Sequence, residues 1–135
     1  FGFVLGYHGC DRAVGEQLLA GAAFRMSRND YDWLGEGIYF WEADPARGLA
    51  FAHEAMRRRG SRISEPFVVG AVSDLGTCLD VTTAQGVEMM RLGHRALVAM
   101  SRSAGVTLPV NSGDALRRPL DRAVVQQVHD IRASM

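Results

Sequence analysis

Lysine is absent from this chain: all fifteen basic residues among its 135 are arginine, and fifteen acidic residues bring the formal net charge to zero. A neutral chain lacks the global field that holds a polyanion, which argues against a nonspecific DNA binder. Its one dense basic stretch is Arg57-Arg58-Arg59 with Arg62, diluted by Glu54 and Glu65, and arginines at a helix end also complement the helix dipole. Cysteine is scarce as well. Cys10 and Cys78 are too few and too far apart for a disulfide framework, so a reduced, cytoplasmic chain is expected. The four prolines are dispersed and mark no linker. No apolar run reaches the roughly twenty residues that a membrane-spanning helix requires, so no membrane partner is expected.

What remains is ordinary for a globular protein, with 47% hydrophobic and 22% charged residues. No internal repeat or low-complexity tract interrupts it. The expectation is one domain over 1–135, large enough to bury on the order of two-thirds of its unfolded surface.

The largely apolar run from Phe1 to His8 predicts a strand over 2–9 that stops at Gly9, followed by a helix over 11–21. A strand over 37–41 and a helix over 45–59 come next. Asp44 suits the cap of that helix, Pro45 its first turn, and Arg59-Gly60 its end. A strand from Phe67 to Ser73 and an extended piece from Thr77 to Val81, joined through Asp74-Leu75-Gly76, read as a hairpin or sheet edge. Apolar spacing then predicts a helix from Thr83 to Arg102, thinned or interrupted near Gly93, and a last helix after Pro119 with Leu120, Val124, Val128 and Ile131 on one side. Strands and helices without regular alternation place the chain in the α+β class.

Two segments carry the chemistry. Tyr7-His8-Gly9-Cys10 ends the first strand, and Trp33-Leu34-Gly35-Glu36-Gly37-Ile38-Tyr39-Phe40-Trp41-Glu42 leads through glycines into the second. Each sets a ring beside glycine at a strand end, where a ligand can approach the backbone while one side chain bonds it. Tyr39 and Phe40 face opposite sides of their strand, so one ring can join the core while the other faces a cleft. Arg25 and Arg28 either fork onto a diphosphate or pair with Asp30 and Asp32. Glu36 and Glu42 read as solvated, as do Gln126 and Gln127 on the last helix. His53, His94 and His129 fall in helical stretches without a metal-ligand arrangement, so no metal is expected.

The pair His8-Gly9-Cys10 and Gly35-Glu36-Gly37-Ile38-Tyr39-Phe40 resembles the donor-binding motifs of ADP-ribosyltransferases of the diphtheria-toxin and poly(ADP-ribose) polymerase type, over roughly the first fifty residues. The resemblance implies a split β-sheet core flanked by helices. It implies NAD as substrate, with His8 on a ribose hydroxyl, the Gly9 backbone on the nicotinamide carboxamide, and Tyr39 and Phe51 as walls of the nicotinamide ring. His8 and Tyr39 are then the expected catalytic residues, and His8, Gly9, Cys10, Gly37, Tyr39, Phe51 and Arg28 the donor-binding set. Cys10 stands where the family has Thr or Ser, and Phe51 where it has Tyr.

Breaking the nicotinamide glycosidic bond passes through an oxocarbenium-like state, which calls for stacking on a flat leaving group and fixed hydrogen bonds to the ribose. The family adds a Glu or Gln on a late strand, and none is read after the last helix, so either the core lacks its C-terminal strands in this chain or the third role has moved, with Gln126 and Gln127 as substitutes that a solvated helix face explains better. The implied activity is a glycosyltransferase that moves ADP-ribose from NAD to a protein or nucleic acid, as a bacterial toxin or defence effector with a neutralising antitoxin or immunity partner. Alternatives are an NAD glycohydrolase, a noncatalytic NAD or ADP-ribose binding module, and an interaction domain that takes no nucleotide.

Overall fold

A computed structural model describes residues 2–113 and 116–135; Phe1, at the head of the first apolar run, lies outside them. Among the described residues the chain forms three strands and four helices, an α+β arrangement: β1 Phe3–Asp11, α1 Arg12–Leu19, β2 Trp41–Glu42, α2 Pro45–Met56, β3 Pro66–Asp74, α3 Ala84–Ala104 and α4 Pro119–Ala133. None of these helices is long and apolar enough to cross a membrane. Two compact units divide the chain, Phe1–Arg25 with Ile38–Cys78, and Met26–Gly37 with Leu79–Met135.

The first unit is a three-stranded antiparallel sheet in the order β2-β1-β3. Opposed residues of an antiparallel pair share a face, so the register Tyr7↔Gly70, Gly9↔Val68 and Tyr7↔Trp41 sets those residues on one side, and His8↔Val69 and Cys10↔Phe67 on the other. Helix α2 covers the first side. A Cβ at Gly9 would lie 2.3 Å from the carbonyl oxygen of Gly48, and one at Gly48 would meet Val68 and Tyr7 at 3.0 and 3.3 Å. Two glycines thus let the helix backbone rest on the strand. Helix α1 covers the other side, with Gly15 against Phe67 and Val69. Cys10, Ala52, Ala55 and Val69 form the buried core.

Asp11 joins the pieces. Its carboxylate caps α1 through the Ala13 N–H (3.1 Å) and accepts from the backbones of Ser64 (2.9 Å) and Glu65 (3.0 Å), where the chain enters β3. Hydrogen bonds from Glu65, then Ser64, hold its pKa below the usual 3.8 against an opposing effect of desolvation.

In the second unit α3 packs on α4, where a Cβ at Gly93 would come within 2.5 Å of Val128 Cγ2. That contact explains why α3 runs unbroken through the glycine at which the sequence suggested an interruption. Val124, Val125 and Val128 are buried there. Asn111 caps α4 from a distance, its Oδ1 accepting from the N–H groups of Leu120 (3.0 Å) and Asp121 (3.3 Å). The remaining piece is a closed loop. Ser27 and Gly37 exchange two backbone bonds (2.7 and 3.2 Å), and inside the loop Asp32, 8% exposed, accepts from Ser27 Oγ at 2.5 Å and Asn29 N at 2.8 Å.

Other sequence expectations change as well. The strand foreseen over 37–41 shrinks to Trp41–Glu42, because Gly37 pairs with Ser27 and the Tyr39 carbonyl turns to a side chain instead of a ladder partner. No strand forms over Thr77–Val81, where the Asp80 carboxylate takes the Thr82 N–H (2.9 Å) and hydroxyl (2.6 Å) and so folds the segment into a turn. Helix α2 ends at Met56, with Arg57 as its cap and Gly60 at φ 77°, rather than at 59.

Candidate functional site

In the first unit the ladder between β1 and β2 is short. β2 pairs with β1 only at Gly6↔Glu42 and Tyr7↔Trp41. Continuing that register would set Phe40 opposite His8 and Tyr39 opposite Gly9. The ladder stops instead, and from His8 onward this edge of β1 pairs with no strand among the described residues. A strand edge without a ladder partner leaves backbone N–H and C=O groups that other polar groups can bond.

Just past the last pair, His8 Nδ1 lies 2.8 Å from the carbonyl oxygen of Tyr39. A carbonyl can only accept, so Nδ1 carries the proton, and in the neutral ring Nε2 presents a lone pair. Nε2 has no partner among the described residues. It can accept a hydrogen bond from a hydroxyl. The ring also touches Phe24, edge-on at 5.4 Å between centroids, and Phe40 at 5.6 Å. Sequence patterning gave no sign of Phe24, which follows the end of α1 and belongs to no periodic element.

The sequence-derived set is distributed as follows. His8 and Tyr39 are both half-buried and joined by the bond above. Gly9 supplies the close approach to Gly48. Cys10, 6% exposed, lies in the core, where burial first and the Asp11 charge second push its thiol above the ordinary 9.0, so it stays protonated at neutral pH. Phe51 lies 3.3 Å from where a Gly9 Cβ would point, near Trp41 (6.2 Å between centroids) and under the Arg58 guanidinium (5.4 Å). That is the sheet face opposite to His8, so the fold does not bring Phe51 and the imidazole together. Gly37 and Arg28 belong to the second unit, Gly37 in its bridge to Ser27 and Arg28 with its Nε 3.7 Å from Glu36.

The carboxylates foreseen beside Arg28 are engaged elsewhere, Asp32 within the closed loop and Asp30 with Arg117 at 3.7 Å. Glu36 also meets Arg122 at 3.9 Å. Gln126 is exposed and bonds Asp130 one turn on, as a solvated helix face does. No group of three or more metal-binding side chains occurs among the described residues. Two surface concavities, of about 390 and 340 Å³, lie along α3, lined by Val87, Met90 and His94 in one case and Val98, Ser101 and Leu108 in the other. Neither includes His8 or Tyr39. No family model, curated protein or solved structure matches the chain.

Proposed function

We propose that this chain is an NAD-dependent ADP-ribosyltransferase that binds the nicotinamide end of NAD at the unpaired edge of β1 beside the Ile38–Phe40 segment. The observation that carries the reading is the bond from His8 Nδ1 to the Tyr39 carbonyl across a ladder that ends one residue earlier. It ties together the two segments whose sequence resembles the family's donor motifs and turns Nε2 into an acceptor for a ribose hydroxyl. The Gly9 backbone, on the unpaired edge, holds the carboxamide, and the Tyr39 ring flanks the nicotinamide.

In the reaction, the glycosidic bond to nicotinamide lengthens, its electron pair leaves with the neutral pyridine, and positive charge spreads onto the ribose C1′ and ring oxygen. Nicotinamide departs, and a nucleophile of the macromolecular acceptor bonds to C1′ and gives up its proton to water. Fixed hydrogen bonds to the ribose lower the cost of reaching that geometry. The reading includes the family's split β-sheet core flanked by helices, with which a small antiparallel sheet is compatible, and a role as a toxin or defence effector held by a neutralising partner.

Purified protein incubated with labelled NAD and a macromolecular extract is expected to release nicotinamide and label the macromolecule, and His8→Ala is expected to lower release on the order of 100-fold. Release without label would assign an NAD glycohydrolase. NAD binding without release would assign a noncatalytic binding module.

A further inference from the structure

We infer that Phe24 and Phe40 are positioning residues that hold the His8 imidazole in one ring orientation, so that Nε2 accepts from substrate. The inference rests on the reading above for its effect on turnover, whereas the orientation itself is testable without any substrate. Three rings meet pairwise: His8 with Phe24 at 5.4 Å and 87°, His8 with Phe40 at 5.6 Å and 51°, and Phe24 with Phe40 at 5.3 Å and 59°. The near-perpendicular contact is an edge-to-face geometry, which aromatic pairs favour.

Phe40 has a fixed seat. A Cβ at Gly6 would come 2.9 Å from Phe40 Cβ and 3.2 Å from its ring, so the missing side chain on β1 makes the space the phenyl occupies. Gly6 and His8 share a face two residues apart, which brings that phenyl against the imidazole. Phe24 reaches the same place from the segment after α1.

The need for such support follows from the torsion of histidine. Its outer torsion is broad and nearly two-fold, so a flip exchanges nitrogen for carbon at both exposed edges of the ring at little intrinsic cost. After a flip, the Tyr39 carbonyl would face Cδ2 and Cε1 would stand where Nε2 had been, leaving no acceptor for a hydroxyl. One hydrogen bond of about 1 kcal/mol only biases that choice. Two phenyl rings packed on the imidazole block the rotation sterically. His8 therefore meets substrate with its lone pair already aimed, and the group it takes is a hydrogen-bond donor.

The test is a long-range proton–nitrogen NMR spectrum of the ¹⁵N-labelled chain, with the His8 signals assigned from their loss in His8→Gln, beside steady-state nicotinamide release. His8 is expected to show the Nδ1-protonated tautomer, the reverse of the preference of free histidine. Phe24→Leu and Phe40→Leu, each checked for a native fold by circular dichroism, are expected to average that signature and to lower kcat about tenfold with KM for NAD within about twofold. Phe24→Tyr, which keeps the ring, is expected to keep the signature. Two folded leucine variants with an unchanged tautomer pattern would overturn the inference. A changed pattern in a protein that releases no nicotinamide would uphold the positioning role and sink the transferase reading alone.

Discussion

In the first unit the buried residues are small: Cys10, Ala52, Ala55 and Val69 lie between a sheet and the helices on its two faces. Helix α2 reaches β1 because Gly9 and Gly48 remove the side chains that would separate their backbones. In the second unit three valines of α4 form the buried apolar set, and polar side chains do much of the ordering. Asp32 organises the closed loop, Arg122 donates to the Asn29 carbonyl at 2.6 Å, and Asn111 caps α4 while its amide bonds Asp121 at 2.9 Å. Order in the first unit thus depends on shape at close backbone approach, and in the second on side chains that satisfy backbone groups no ladder reaches. Added bulk should damage the first more, and lost hydrogen bonds the second.

The largest effect is expected from Gly9→Val. Backbone oxygen already lies 2.3 Å from its first added atom, so β1 and α2 must separate, at a cost of about 3 kcal/mol or more. Hydrogen exchange should show lost protection in β1, α2 and β3 with little change in α3 and α4. Equal loss in both units would contradict the contrast.

Next comes Asn111→Ala, which leaves the first N–H groups of α4 without their acceptor and frees the Asp121 partner. A loss of about 1 kcal/mol is expected, read as faster exchange at Leu120 and Asp121 in α4. Unchanged exchange there would remove the distant cap from the account.

The smallest effect is acid sensitivity. Asp11 in the first unit and Asp80 in the second are held below 3.8 by hydrogen bonds, from Glu65 and Ser64 in one case and from Thr82 in the other. For Asp121 partial burial pulls upward, but Asn111 and Arg118 outweigh it and the carboxyl is again lowered. A carboxyl lowered on folding stabilises fully above its unfolded value and loses that contribution as pH falls through the folded one. Stability measured by denaturant titration should therefore be flat in these groups above about pH 4 and fall below it. Asp11→Asn should flatten the acid limb of the first unit alone, and an unaltered limb would refute the assignment.

The same contrast explains what could be read from the sequence. β1, β3, α2, α3 and α4 follow apolar periodicity, and Asp44-Pro45 marks the start of α2 as capping chemistry requires. Segment 37–41 misled because Ile38, Tyr39 and Phe40 have strand composition, yet Gly37 bonds back to Ser27 and Tyr39 serves a side chain. Local propensity does not report such competition. Thr77–Val81 failed similarly, since Asp80 offers the backbone a nearer partner.

At the site, the two motifs singled out His8 and Tyr39, and the structure joins them through a carbonyl that pattern alone could not identify. The face of Phe51 was hidden for a related reason. Alternation along β1 separates His8 from Gly9 but does not say which side α2 covers, and the Gly9–Gly48 contact decides it. Phe24 lies outside any periodic element and became visible only through its contact with the His8 ring.

The most direct measurement is an NAD titration of the ¹⁵N-labelled chain followed by backbone amide shifts. Saturable shifts are expected to centre on His8–Cys10 and Ile38–Phe40 and to vanish in His8→Ala. Shifts confined to α3 around Val87, Met90 and His94, or none at millimolar NAD, would contradict it.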